Sequence, residues 1–314
     1  MAAVEKALIV CLMGPTASGK TQLAVDLVQH FPFEIISVDS AMVYRGMDIG
    51  TAKPAADILK IAPHRLIDIR DPAEPYSVAQ FQADVVHEID DIVSHGKIPL
   101  LVGGTMLYFS ALQKGLSELP SANPAVREKL TREAQEFGWG VLHERLAAVD
   151  VEAAKRIHPH DAQRIQRALE VYELTGKSLT AWQQADIPML ANYQMYNLGV
   201  SLDRAILHER IAQRFSQMLT EGFLDEVKSL VARGDLNLEM PSMRSVGYRQ
   251  VWEYLLGNYS YDEMCEKGII ATRQLAKRQL TWLRHWPLEI QWFDSLANDL
   301  FTQVEYAVQQ ILKI

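Results

Sequence analysis

Cysteine is scarce in this sequence. Its two residues, Cys11 in an apolar run and Cys265 in a helical stretch, cannot build a disulfide framework and sit in no metal-ligand spacing. Long hydrophobic runs are missing too: the early apolar segment Ala7–Met13 leads directly into a glycine loop. It is too short for a membrane span and lacks the layout of a secretory leader, so a reducing cytoplasm and no membrane partner are expected. Internal repeats, low-complexity tracts and coiled-coil heptads are absent, which leaves an ordinary globular fold. Nor is positive charge in excess, since 31 Lys and Arg against 39 Asp and Glu give a formal net charge of −8. That balance argues against a globally basic nucleic-acid binder, although local distribution matters more than the total. With 314 residues, 48% of them hydrophobic, the chain is long enough for one large domain with an insertion or for two domains.

What is present begins with a phosphate loop. Gly14, Pro15, Thr16, Ala17, Ser18, Gly19, Lys20 and Thr21 fit the pattern G-x-x-x-x-G-K-[ST] at every fixed position. A buried strand precedes the loop, and an amphipathic helix over 22–29, with Leu23, Val25, Leu27 and Val28 as its apolar positions, follows. Backbone N–H groups and the positive end of the helix dipole then face one anionic pocket. Lys20 adds an ammonium, and Thr21 can place its hydroxyl on Mg²⁺. The loop holds a diphosphate or triphosphate, but its pattern does not say which, or whether a phosphoryl group moves.

The first third alternates strands and helices: strands over 34–38 and 98–102, a helix over 84–94, and polar strand ends at Asp39, Ser40 and Thr105. In a parallel sheet such ends face the ligand crevice. A loop over 116–124 opens a stretch of helical patterns to about residue 180. A strand over 196–201 follows, then helices over 205–233, 245–256 and 261–285, a strand over 289–293 and a short closing helix. The expected fold is α/β: a parallel sheet core flanked by helices over 1–114 and 186–314, interrupted by an all-helical insertion domain over 115–185.

Local charge departs from the total. Residues 244–285 hold seven Lys or Arg against four acids, and Arg273, Lys277 and Arg284 have the spacing to share a helix face. Lys155, Arg156, Arg164 and Arg167 form a second cluster. Tyr248, Trp252, Gln274, Gln279 and Trp282 add stacking faces and hydrogen-bonding groups suited to nucleic acid. On charge alone, solvated helix faces explain both clusters equally well, and each aromatic taken singly reads as core.

Seven segments together resemble the bacterial tRNA dimethylallyltransferases: GPTASGKT at 14–21, ISVDSAMVYRGMDIGTAKP at 36–54, HRLIDIRDP at 64–72, LLVGGTMLY at 100–108, QRIQRALEVYELTGK at 163–177, RSVGYRQ at 244–250 and TRQLAKRQLTWLR at 272–284. The resemblance implies transfer of a dimethylallyl group from dimethylallyl diphosphate to N6 of adenine 37, beside the anticodon of tRNAs reading codons that begin with U. It implies contact with the anticodon stem-loop by Asp39, Ser40, Ala41 and Met42, by Thr105 and Arg127, and by Gln163, Arg164, Ile165, Gln166 and Arg167. Further tRNA contacts are implied at Arg244, Ser245, Val246, Gly247, Tyr248 and Arg249. On the last long helix they are implied at Lys277, Arg278, Gln279, Leu280, Thr281, Trp282, Leu283 and Arg284. Arg214 would reach the diphosphate, and Thr105 would touch substrate and stabilise the transition state. A monomer is expected.

The chemistry agrees with this. Breaking an allylic C–O bond builds negative charge on the diphosphate, which the loop amides, Lys20, Thr21 and Mg²⁺ stabilise. The adenine amine becomes an effective nucleophile as its proton leaves, and Asp39, at the end of what reads as the strand adjacent to the phosphate loop, is the candidate base. Asp39 also reads as a Mg²⁺ ligand or a helix N-cap. The alternative function is a small-molecule kinase using ATP, with Asp39 on Mg²⁺ and the basic insertion clamping the phosphoryl group. A non-catalytic RNA-binding module would leave the phosphate loop and Asp39 without a role.

Overall fold

The structure, a computed structural model, describes residues 6–115, 117, 119–183 and 190–313. In chain order it runs β1 (Ala7–Met13), α1 (Lys20–His30), β2 (Phe33–Val38), α2 (Ala56–Ile61), β3 (His64–Arg65), α3 (Val78–Ser94), β4 (Ile98–Gly103) and α4 (Met106–Lys114). Five helices follow: α5 (Pro124–Phe137), α6 (Trp139–Val149), α7 (Val151–Arg156), α8 (Ala162–Thr175) and α9 (Leu179–Gln183). The chain then returns through β5 (Tyr193–Ser201), α10 (Arg204–Thr220), α11 (Phe223–Ala232), α12 (Tyr248–Leu255), α13 (Tyr261–Arg284), β6 (Gln291–Asp294) and α14 (Leu300–Leu312). The chain divides into two compact units, Met1–Phe109 with Leu190–Ile314, and Ser110–Met189.

The first unit is built on one sheet of order β3-β2-β4-β1-β5-β6, with every pairing parallel. Apolar residues fill the central strands without alternation because helices cover both faces. One core packs Val10, Leu12, Leu27, Ile35, Leu100 and Val200 with Val304 and Val308 of α14. A smaller cluster joins Ala17 to Leu207 and Ile211 of α10 and Ala276 of α13. The expected α/β parallel fold is observed. One detail of it changes: β4, not β2, lies beside β1, so the strand bearing Asp39 is separated from the phosphate-loop strand by one strand.

The second unit closes a core of its own around Leu130, Leu142, Leu146, Ile165 and Leu169. Residues 116 and 118 of the loop expected over 116–124, and the boundary set at 185/186, lie outside the described residues.

Several bounds differ from the periodicity reading, each for a local reason. The expected helix 205–233 is two helices, because Gly222 takes φ +103°, a left-handed conformation that ends α10 and restarts the chain as α11. α3 begins six residues early, at Val78, where Ser77 and Gln80 form a reciprocal capping box. The helix expected to start at 245 starts at Tyr248 after Gly247, and β5 begins at Tyr193.

Candidate active site

Strand register aligns the chemistry. Gly103 at the end of β4 is the Cα partner of both Met13 in β1 and Val38 in β2. The next residues of the three strands, Gly14, Asp39 and Gly104 followed by Thr105, therefore form a row along one sheet edge. Thr105 N–H donates back to Val38 O over 3.2 Å, and Ser40 N–H donates to Thr105 Oγ1 over 3.1 Å.

The phosphate loop turns through two left-handed residues, Ala17 at φ +63° and Gly19 at φ +88°. Such turns point successive N–H groups inward as an anion nest. Ser295 Oγ donates to Ser18 O at 2.7 Å and accepts from Arg210 Nη1 at 3.1 Å, which braces the loop from behind. Ser18 Oγ is buried without a partner among the described residues. Lys20, the first residue of α1, lends its ammonium to Pro15 O at 3.2 Å.

Two cavities meet here. The larger, of about 660 Å³, is lined by Lys20, Thr21, Asp39, Thr105, Arg214 and Gln279 among others. The smaller, of about 260 Å³, lies against Ala17 to Gln22. Lys20, Thr21, Pro54 and Arg214 line both. Burial pushes the Lys20 ammonium down to about 8; Asp39 opposes this and the Arg214 charge adds to it. Burial and the charge on Arg210 also lower Arg214, whose side chain makes no hydrogen bond or ion pair among the described residues. The half-buried Lys20 ammonium and the Arg214 guanidinium, two cations on one cavity with so little compensation, form a prepared site for a multiply charged anion.

Asp39 has one oxygen in use. Its Oδ1 accepts from Ala41 N–H at 2.8 Å and Met42 N–H at 3.2 Å, which fixes the carboxylate plane and leaves Oδ2 for another partner. No cluster of three His, Cys, Asp or Glu side chains forms a cation cage among the described residues. Mg²⁺ needs only one or two protein oxygens when phosphate oxygens supply the rest. Thr21, whose hydroxyl is a suitable oxygen and which lines the same cavity as Lys20 and Arg214, fits that arrangement.

The residues expected to meet tRNA divide into three groups. Arg244, Arg249, Lys277, Arg278 and Arg284 are exposed and make no ion pair among the described residues. Arg244, Arg278 and the 43% exposed Trp282 line the larger cavity. Val246, Ser245 and Leu280 are half-buried and Thr281 is exposed, bonded to Lys277 O. By contrast Ile165, Gly247, Tyr248 and Leu283 are packed inside, and Gln279 is buried with both ends of its amide engaged. Of these, Gly247, Tyr248 and Gln279 still line the larger cavity. Trp252 is core as well, so the aromatic interleaving reduces to Trp282.

In the second unit Arg127 and Arg167 both grip the fully buried Glu170, at 2.9 and 2.6 Å. Burial pushes that carboxyl up, but the two arginines outweigh it and hold it below its usual range. Gln166 donates to Arg127 O and Thr131, while Gln163 and Arg164 are exposed and Arg164 pairs with Asp161. In the rest of that basic cluster Lys155 pairs with Glu152, whereas Arg156 bonds the neutral Thr180 and Gln183.

Sequence reasoning missed one clamp beside the cavity. Glu226 Oε2 accepts from Asp48 and Ile49 N–H at 3.0 and 2.7 Å, and its Oε1 accepts from Gly50 N–H at 3.1 Å and from Tyr248 Oη at 2.5 Å. Burial and the Glu226 charge push the Tyr248 phenol far up, so it stays a donor. The partners lie more than 170 residues apart for the backbone groups, and no local pattern announces them.

The chain matches the family model described as IPP transferase over residues 42–286. That match begins after Asp39, so it owes nothing to the phosphate loop. A tRNA dimethylallyltransferase of Coxiella burnetii, strain Dugway 5J108-111, is 57% identical over 94% of this chain and 95% of its own length. Among solved structures, the full-length tRNA isopentenylpyrophosphate transferase of Bacillus halodurans is 37% identical with a TM-score of 0.72, covering 98% of this chain and 97% of its own. A eukaryotic dimethylallyltransferase acting on tRNA is 25% identical with a TM-score of 0.80, covering 98% and 80%. By the extent of the family match and the identity to its curated relatives, the chain belongs to the IPP transferase family.

Proposed function

We propose that this enzyme transfers a dimethylallyl group from dimethylallyl diphosphate to N6 of adenine 37 in tRNAs reading codons that begin with U, releasing diphosphate. The observation that carries this reading is the composition of the larger cavity. Its lining combines Lys20, Thr21 and Arg214 with Asp39 and Thr105, and includes exposed Trp282 with Arg244 and Arg278, which make no ion pair among the described residues. Anion-holding groups together with basic and aromatic ones on a single cavity suit a diphosphate donor attacked by a nucleic-acid base.

The loop amides, the Lys20 ammonium and the Arg214 guanidinium take up the charge that grows on the departing diphosphate. Asp39, oriented by Ala41 and Met42 N–H, accepts the N6 proton at Oδ2 as the C–N bond forms. Thr105, held by Ser40, places its hydroxyl beside the reacting atoms. Thr21 is the protein group that would hold Mg²⁺, which would supply further charge stabilisation at the diphosphate when bound. Turning a stacked adenine out of its loop costs a few kcal/mol. Phosphate contacts by Arg249, Lys277, Arg278 and Arg284, and by Gln163 and Arg164 of the insertion domain at 115–185, offset that cost. Every group belongs to one chain, so a monomer in the cytoplasm suffices.

The kinase reading is not favoured, because relatives at 57% identity bear the dimethylallyltransferase name. The test is consumption of donor: with labelled dimethylallyl diphosphate and labelled ATP offered together with tRNA, only the prenyl donor should be spent. Loss of the ATP γ-phosphate to an acceptor would overturn the reading.

A further inference from the structure

Gln279 sits on the inner face of α13 with Ala276 and Leu283 and is 9% exposed. Its Oε1 accepts the backbone N–H of Thr16 at 2.9 Å, and its Nε2 donates to the carbonyl of Gly104 at 2.9 Å. These partners fix the amide's orientation, since an N–H can face only Oε1 and a carbonyl only Nε2. One side chain thus spans from the phosphate loop to the residue just before Thr105, over sequence separations of 263 and 175. Gly104 admits it: a Cβ there would lie 2.4 Å from Gln279 Nε2.

We propose that Gln279 is a positioning residue that sets the spacing between the phosphate loop and the Thr105 strand end, and so acts on diphosphate binding and the chemical step, not on RNA affinity. Arg278 and Trp282, its neighbours on the helix, line the same cavity; they present charge and a ring to solvent, whereas Gln279 faces inward. Without it, the half-buried Thr16 N–H at the cavity wall and the buried Gly104 O both lose their partner. The loop can then satisfy Thr16 only by turning it toward the anion pocket or toward water. The bearing of this on catalysis rests on the prenyl-transfer reading, whereas its bearing on anion binding does not.

The test compares wild type with Gln279→Leu, Gln279→Glu, Gly104→Ala and the Gly104→Ala/Gln279→Leu double variant. Calorimetry with inorganic diphosphate and Mg²⁺ reads the loop, filter binding reads tRNA, and single-turnover prenylation reads the chemistry. Gln279→Leu should weaken diphosphate binding and slow the chemical step by about 5- to 100-fold, the range set by stranding a buried hydrogen-bonding group. tRNA affinity should stay within about twofold. Gln279→Glu keeps the acceptor for Thr16 and should fall between wild type and Gln279→Leu. Gly104→Ala, whose Cβ would also lie 3.2 Å from Gly14 O, should be at least as impaired as Gln279→Leu, and adding Gln279→Leu to it should cost little more, because both changes break one linkage. Reduced tRNA affinity with diphosphate binding unchanged would overturn the proposal and make Gln279 an RNA contact, as would independent, multiplying effects in the double variant. If Gln279→Leu fails to fold by circular dichroism, Gln279→Glu and Gly104→Ala decide by the same readouts. A wild type that binds diphosphate but prenylates nothing would end the transfer reading, while the calorimetry would still decide the role of Gln279 in the loop.

Discussion

The hydroxyl oxygen of Thr105 accepts the backbone N–H of Ser40 over 3.1 Å, so the end of β4 holds the turn that follows Asp39. Thr105 is therefore both a cavity-lining hydroxyl and a brace for the carboxylate beside it. Thr105→Val keeps the shape, removes the acceptor and should lower the single-turnover rate by about 10- to 100-fold, as expected when a missing hydrogen bond also misplaces a reacting group. tRNA affinity should not change. Equal falls in rate and tRNA affinity would assign Thr105 to RNA binding alone.

Lys20 should write its ionisation into the pH profile. Its ammonium is pushed down to about 8 by burial and Arg214, so it is charged below that pH and progressively neutral above it. A diphosphate favours the charged form, hence binding takes up a proton above pH 8. The ratio kcat/KM for dimethylallyl diphosphate, which reports the free enzyme, should fall as pH rises through about 8. Lys20→Arg should move the fall to higher pH, because a guanidinium does not deprotonate there. A fall at the same pH in the variant would place the ionisation elsewhere.

Arg278 and Arg284, exposed and unpaired among the described residues, should bind phosphates. Replacing either with Ala should weaken tRNA binding and flatten its log–log salt dependence by roughly 0.7 for each single-strand phosphate that is no longer neutralised. Lys155→Ala, at a residue already paired with Glu152, should leave the slope unchanged. An unchanged slope in both arginine variants would make α13 a solvated face.

The sheet and its polar edge were legible because they rest on local signals: buried apolar runs, a glycine loop and strand ends with Asp39, Ser40 and Thr105. Strand order was not, and β4 inserts between β1 and β2 because parallel pairing is decided by helices packing on both faces. The α10–α11 break was hidden because Gly222 reads as a tolerated helix glycine until its φ of +103° is seen. The basic residues were found, but charge counting could not separate Arg127 and Arg167, spent on buried Glu170, from Arg278, which is not. Glu226 and Gln279 act through backbone groups more than 170 residues away, a kind of partner that leaves no trace in spacing.

Asp39 offers the sharpest separation of binding from chemistry. Asp39→Asn preserves the acceptor for Ala41 and Met42 N–H but removes the base, so the single-turnover rate should fall by about 10²- to 10⁴-fold with both substrates still bound. Raising Mg²⁺ should not restore it. Recovery across a Mg²⁺ titration would make Asp39 chiefly a metal ligand.

The most direct measurement is mass spectrometry of a tRNA anticodon stem-loop with adenine at position 37 after incubation with the enzyme, dimethylallyl diphosphate and Mg²⁺, followed by digestion to locate the change. One dimethylallyl group on N6 of adenine 37, with no ATP required, is the predicted result. An RNA left unmodified, or product formed only with ATP and carrying phosphate, would contradict the account.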